Sequence, residues 1–244
     1  MLYTQSPRAR NFDVAAWGRE PMPKLEPSVF RKELHHRSMI SYVVPSARVR
    51  DLIPIEFELA ATTLLSIESF LDCGRTRFEQ TNYRLHVRQN GKPCSWLLGV
   101  SLGSLSGVTA RHLYPLPWHL SAMELRVAWA ADGDNYSRYR LSSQSQWANA
   151  DWEIVDTGES FSTEKPIEIT DYFVRRDGAI GSYQTIYQTA GTTRGRLKAG
   201  RCDLLGTLGI LGSEEINHPI SVALQRAVSC EIKPAAYREQ YREP

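Results

Sequence analysis

Apolar and polar residues alternate with a period of two along much of this chain, the pattern of half-buried β-strands. The alternation is clearest from Arg77 to Gln89, where Tyr83, Leu85 and Val87 share one face and Asn82, Arg84, His86 and Arg88 share the other. Asn90-Gly91 follows, the pair a type I′ turn favours, and Cys94 to Leu102 is an apolar return strand that reads as buried on both faces. A second hairpin is predicted from Met123–Ala131, with Met123, Leu125, Val127 and Trp129 on one face. The turn Asp132-Gly133-Asp134-Asn135 leads it into Tyr136–Trp147.

The remaining elements are predicted from shorter signals. Ser38–Val44 is a strand, and Ala47–Ile53 a short helix capped by Ser46 and ended by Pro54. Phe57–Leu71, rich in Leu, Ile, Thr and Phe, is one long bent strand or two short ones. Residues 148–166 read as an acidic loop, Ile167–Arg175 as a short helix or turn followed by a strand, and Tyr183–Gln188 as a strand. Gly191, Gly195 and Gly200 punctuate the next segment, Leu204–Leu211 is apolar, Pro219–Arg226 is one short helix and Val228–Ile232 a last strand. No repeat of fixed period is present. The sum is a mostly β chain with a minor α component: one largely antiparallel domain over residues 29–234. It is preceded by a proline-interrupted arm, 1–28, and followed by a charged tail, 235–244. The arm either lies over the domain, crosses to a neighbouring subunit or is a disordered tail.

Composition narrows the function classes. A formal net charge of +2 over 244 residues, with no long Lys/Arg run, argues against nucleic acid or a membrane surface as partner. No apolar run approaches the ~20 residues needed to span a bilayer, and residues 1–20 lack the apolar core of a secretory signal. Cys73, Cys94, Cys202 and Cys230 form no C-x-x-C pair, which suits free thiols in a reducing cytoplasm.

Candidate chemistry concentrates in Ala110–Met123, where Arg111, His112, Tyr114, Trp118 and His119 stand among Pro115 and Pro117. The prolines make this a shaped connection rather than a helix or central strand, and rigid loops of this kind carry binding groups. They also forbid the helix on which His112 and His119 would share a metal, so no metal or other cofactor is expected. No P-loop, dinucleotide fingerprint or nucleophile elbow is present. Arg84, His86 and Arg88 form a basic stripe whose plainer reading is a solvated sheet face; in a closed sheet the same stripe would look into a cavity and suit a carboxylate or phosphate.

The order of these features resembles the acetoacetate decarboxylase-like superfamily, most closely a branch of uncharacterised bacterial proteins. The resemblance rests on Arg50-Asp51-Leu52-Ile53-Pro54, Phe78-Glu79-x-x-x-Tyr83-Arg84-x-x-Val87, the Asn90-Gly91 turn, and Ala110-Arg111-x-x-x-x-Leu116-Pro117-x-x-x-Ala122-Met123. It spans roughly Phe30 to Pro234 and implies a cone-like or barrel-like antiparallel sheet enclosing a small-molecule pocket, often in a homo-oligomer. The superfamily signature is Gly-Arg-Glu-x-x-Gly-aromatic-Pro-Lys-Lys, whose first lysine forms an imine with the substrate ketone. Here Arg111 and Pro117 match, His112 takes the Glu place, and Trp118 and His119 occupy the two lysine places. Glu79 matches the pocket glutamate.

The resemblance therefore implies a carbonyl-handling pocket without an imine-forming lysine in this loop. Its expected catalytic set is Glu79 as acid/base, His119 as proton shuttle and Arg111 as carboxylate or oxyanion partner. Arg84, His86, Trp96, His112, Tyr114 and Trp118 are the expected substrate-binding residues. The expected partner is a small anionic or carbonyl-bearing molecule. A non-catalytic ligand-binding module on the same fold and, more remotely, a redox or nucleotide-linked enzyme remain as rivals.

Overall fold

The computed structural model describes residues 29–74, 76–104, 117–131, 133–161, 167–176, 179–188 and 191–234. The predicted arm and tail, and the part of the proline loop carrying Arg111, His112 and Tyr114, lie outside the described residues.

Seven strands close into a barrel. They are β1 (Phe30–Pro45), β2 (Thr62–Cys73), β3 (Arg77–Gln89), β4 (Lys92–Leu102), β9 (Ile167–Arg176), β10 (Ala179–Gln188) and β12 (Ser221–Pro234), and β12 returns to pair with β1. All joins are antiparallel except β4–β9, where Ser95 and Trp96 pair with Tyr172 and Phe173 in parallel. The short β5 (Trp118–Leu120) pairs in parallel with β4 further along, Val100 against Trp118. From β12 the sheet continues outward through β11 (Thr192–Cys202), β8 (Ala150–Ser160), β7 (Tyr136–Gln144) and β6 (Ala122–Trp129). This extension folds over the outside of β1–β4. The largest core, including Ile40, Tyr42, Leu65, Ile67, Tyr83, Leu85, Tyr139, Leu141, Trp152 and Ile154, lies between the two layers.

Strict alternation assigns the two faces. On β3 the odd residues Tyr83, Leu85 and Val87 enter the interlayer core, so the even residues Phe78, Gln80, Asn82, Arg84 and His86 face the barrel lumen. The predicted hairpin is present, with Asn90 at φ 51° and Gly91 at φ 73°, the double left-handed geometry of its turn.

Several expectations need correction. Residues 148–166 are not simply a loop: β8 buries Trp152 and Ile154 while Asp151 and Glu153 stay outside, so its acidic residues are the wet face of a strand. Pro219–Arg226 is not a helix. Ser221 onward belongs to one 14-residue strand, β12, held on both sides by β1 and by β10 or β11. Ala47–Ile53 forms two 3-10 turns, Ser46–Arg48 and Arg50–Leu52, without a side-chain cap from Ser46. Ile167–Arg176 is strand throughout, and Leu204–Leu211 opens on the short helix α1 (Asp203–Thr207). The glycine-punctuated segment is strand β11. A Cβ at Gly195 would stand 2.8 Å from both Ile154 Cγ2 and Val222 Cγ1, so glycine there leaves room for the side chains of the two flanking strands, β8 and β12.

Candidate functional site

The lumen holds two apolar clusters with a charged layer between them. One lines β3, β4, β9 and β10 with Phe78, Leu97, Val100, Leu102, Tyr172, Val174 and Tyr183, the other lines β1, β2, β10 and β12 with Leu34, Phe70, Tyr187, Val228 and Cys230. Between them Arg37, Glu68 and Arg84 are 4%, 0% and 0% exposed. Arg37 Nε donates to Glu68 Oε1 at 2.6 Å, and Arg84 Nη1 stands 3.7 Å from Glu68 Oε2. Asn82 Nδ2 donates to the same Oε2 at 3.1 Å, and Gln80 Nε2 donates to Asn82 Oδ1 at 2.7 Å. Arg37 Nη1 reaches Gln225 Oε1 on β12 at 2.5 Å, while its guanidinium lies 4.3 Å from the centre of the Tyr187 ring. Arg84 donates to the Tyr172 hydroxyl and contacts Met39 Sδ. Arg37 of β1 and Asn82 and Arg84 of β3 thus converge on the carboxylate of β2, and the network reaches β9, β10 and β12 through Tyr172, Tyr187 and Gln225.

Arg37 reaches this layer through an irregularity in β1. The register with β2 shifts between His35 and Ser38, and His36 adopts φ 52°. That bulge puts Leu34 and Arg37, three residues apart, on the same face, where plain alternation would send Arg37 outward. The left-handed residue is held from outside: His36 Nδ1 lies 2.9 Å from Tyr136 Oη, and Tyr139 Oη donates to the His36 carbonyl at 2.9 Å.

The electrostatics are unusual for an interior. Burial alone pushes the Glu68 carboxyl up, but the charges of Arg37 and Arg84 and the hydrogen bonds from Asn82 and Arg37 more than offset it and hold the group below the ordinary carboxylate range. Burial pushes the Tyr183 and Tyr187 phenols well up and the Cys230 thiol to about 12, so these neighbours are neutral at pH 7. A second charged pair, Lys32 with buried Asp72, is balanced within itself. Among the described residues the central layer sets two guanidinium groups beside one carboxylate, a donor set of the kind that binds anions. Above it, toward the end of the barrel where β1 leads into the 3-10 turns, His86 Nε2 stands 2.9 Å from Ser66 Oγ, which stands 3.2 Å from Ser41 Oγ. Burial, then the Arg84 charge, pushes the His86 imidazole down to about 3, so it is neutral.

The residues singled out in the sequence divide between two faces. Arg84 and His86 face the lumen. Trp118 packs on the Phe78/Leu97/Val100 cluster, so the residue in the first lysine place also points inward. His119, the next residue, points to the outer face of β4 and stacks on Trp147 with ring centres 4.1 Å apart, where burial lowers its imidazole pKa. Glu79 also lies on the outer face, with Oε2 2.7 Å from where a Gly103 Cβ would be, beside Met123. Trp96 belongs to the interlayer core, in contact with Phe57. Glu79 and His119 are thus not brought together with Arg84. The residues that sequence reasoning passed over are Arg37, Glu68, Asn82 and Gln225. A signal for Glu68 existed: Ser66, Glu68 and Asp72 interrupt the apolar run of β2 with period two.

Comparison with known proteins follows the fold. A family model described as an uncharacterized conserved protein matches residues 31–185. Acetoacetate decarboxylase from Legionella pneumophila aligns over 94% of this chain and 98% of its own, with TM-score 0.59 and 13% identity. An acetoacetate decarboxylase-like enzyme from Sphingomonas wittichii covers 88% of this chain and 94% of its own, at TM-score 0.57 and 8% identity. The enduracididine biosynthesis enzyme MppR complexed with pyruvate covers 88% and 91%, at TM-score 0.55 and 10% identity. A search of the curated proteins returns no match. These likenesses establish an acetoacetate decarboxylase-like fold.

Proposed function

This chain belongs to the DUF2071 family, and we propose that it is a small-molecule enzyme acting on an oxo-acid or similar carbonyl-bearing anion inside the barrel, by acid/base chemistry without a lysine imine. The observation that carries this reading is the Arg37–Glu68–Arg84 layer. Burying three charges in a barrel that could be filled with apolar side chains costs stability, which favours a functional reason for the group. Two structurally similar proteins are named for acetoacetate decarboxylase activity or likeness, and a third holds pyruvate.

In this reading Arg84 and Arg37 hold the substrate carboxylate and the carbonyl oxygen. Glu68 is the base. An anionic substrate drawn to the two guanidinium groups competes for their charge, which raises the Glu68 carboxyl from its depressed value and lets it take a proton from the carbon next to the carbonyl. The electron pair of that C–H bond becomes the new C=C bond while the carbonyl π pair moves onto oxygen, and the guanidinium groups stabilise the resulting enolate. Trp118 walls the pocket where a nucleophilic lysine would project. An enolate is the species common to decarboxylase-like, cyclase and dehydratase outcomes, and a hydrolase outcome would use the same acid/base groups on water. Arg111 remains a candidate carboxylate or oxyanion partner and His112 and Tyr114 candidate substrate-binding residues, and the protein is read as a cytoplasmic homo-oligomer.

The test is exchange of the methyl protons of pyruvate in deuterated buffer, followed by NMR. The wild-type protein should accelerate exchange over buffer, and Glu68→Gln should abolish the acceleration while His119→Ala keeps it. Exchange retained by Glu68→Gln would remove the proposed base. A binding-only reading has one observation in its favour, that both Glu68 oxygens are already engaged. It expects pyruvate to bind with no exchange above buffer.

A further inference from the structure

The outer sheet ends on β6, which pairs with β7 on one side and with no described strand on the other. Its eight residues contain no proline and no lysine; the charges it carries, Glu124 and Arg126, are of opposite sign, and its one irregularity lies at its far end, between Ala128 and Trp129. Its sequence has a particular symmetry. From residue 122 to 128 it reads Ala-Met-Glu-Leu-Arg-Val-Ala, which about Leu125 is small, apolar, acidic, Leu, basic, apolar, small.

We propose that β6 is a self-association edge, on which a second copy of this chain pairs antiparallel across a two-fold axis at Leu125. In that register Glu124 faces the partner's Arg126 and Arg126 faces the partner's Glu124. Met123 faces the partner's Val127, and Leu125 faces its own copy. Both faces of the strand are complementary to themselves, as an isologous interface requires. Glu124 and Arg126 are exposed, while Met123, Leu125 and Val127 are partly buried against the interlayer core. Pairing would continue that core from one copy into the next and place opposite charges in direct cross-strand positions on the wet face. A one-residue slip in register would lose both matches at once.

The charge pattern within one copy points the same way. Arg126 stands directly opposite Arg140 on β7. Within the strand Arg126 is bonded to Glu124 at 2.8 Å, and Arg140 to Asp151 at 2.6 Å. A cation opposite a cation is unfavourable, and the partner's carboxylate on the open side of Arg126 offsets it.

The register is tested by cross-linking. Ala122→Cys and Ala128→Cys are both at exposed positions. In the proposed pairing residue 122 of one copy faces residue 128 of the other, so under mild oxidation a mixture of the two variants should form a covalent dimer that neither forms alone. The native Cys94, Cys202 and Cys230 are buried, and the unsubstituted protein controls for Cys73. Light scattering supplies the second measurement. Glu124→Arg and Arg126→Glu should each weaken the dimer at least ten-fold, and E124R/R126E together should restore it. A monomeric wild-type protein, a mixture that does not cross-link, or an oligomer indifferent to both reversals would each overturn the proposal.

Discussion

Arg37 and Glu68 meet at 2.6 Å inside the barrel because β1 breaks its alternation at His36. Neither residue is exposed by more than 4%, so this contact ties a backbone irregularity to the charge layer on which the functional reading stands.

The layer should be costly to break from one side. Glu68→Ala leaves Arg37 and Arg84 facing each other without their shared carboxylate, and removal of one member of a buried ion pair typically destabilises by about 3–5 kcal/mol. Denaturant unfolding should show a loss of that order. A loss no larger than that of an ordinary surface substitution would mean that the layer is solvated in the folded protein.

Acid should destabilise the protein in two stages. His86 is held neutral, with its folded-state value pushed down to about 3 from 6.5, so the unfolded chain takes up a proton there first. Stability is complete above about pH 6.5 and falls as pH drops toward 3, with a slope of at most about 1.4 kcal/mol per pH unit for this one group. Glu68 also has a folded-state value below its unfolded one, so its contribution is present above the ordinary carboxylate range and is lost as pH falls through and below it. His86→Gln should reduce the slope of the unfolding free energy between pH 6.5 and 5, leaving the part due to His36 and His119, whose values are also lowered, and leave the lower stage in place. Identical pH profiles for the two proteins would contradict the assignment.

Gly99 holds the outer face in its present arrangement. A Cβ there would stand 2.2 Å from Trp147 Cζ2, and Trp147 stacks on His119 and meets Tyr83 edge-on. Gly99→Ala should force Trp147 aside at a cost of about 1–3 kcal/mol. The His119 imidazole, released from burial, should titrate nearer its ordinary value, which NMR of the ring protons would register. Because His119 lies outside the lumen, pyruvate proton exchange should change by less than Glu68→Gln changes it.

No imine should form in the lumen. Among the described residues, Lys32 is the lysine that reaches inside the barrel, where it is engaged with Asp72 and lies near Phe78. Borohydride treatment in the presence of pyruvate should add no mass to the protein. A reduced adduct, located on Lys32 by peptide mapping, would replace the Glu68 mechanism with a covalent one.

The strands with plain alternation were legible in the sequence, above all the Arg77–Leu102 hairpin and the two faces of β3. The basic stripe Arg84/His86/Arg88 was visible as well, but its plainer reading as a solvated face holds only for exposed Arg88; closure of the sheet turns Arg84 and His86 into a lumen. What was hidden has physical causes. The bulge at His36 reverses the face of Arg37, and a period-two reading cannot anticipate a reversal. β12 resembled a helix over Pro219–Arg226 because a strand covered on both sides lacks alternation, and its partners are distant in sequence. Trp118 and His119 differ by one residue and so fall on opposite faces, a separation that a loop reading of Ala110–Met123 did not contain.

The central claim is that the Arg37–Glu68–Arg84 layer is an anion site. Calorimetric titration with pyruvate and with its uncharged methyl ester tests it most directly, using the wild-type protein and Arg84→Met. The account predicts that the wild-type protein prefers the anion at least ten-fold and that Arg84→Met loses this preference. Equal affinity for acid and ester in the wild-type protein, or a preference that survives Arg84→Met, would contradict it.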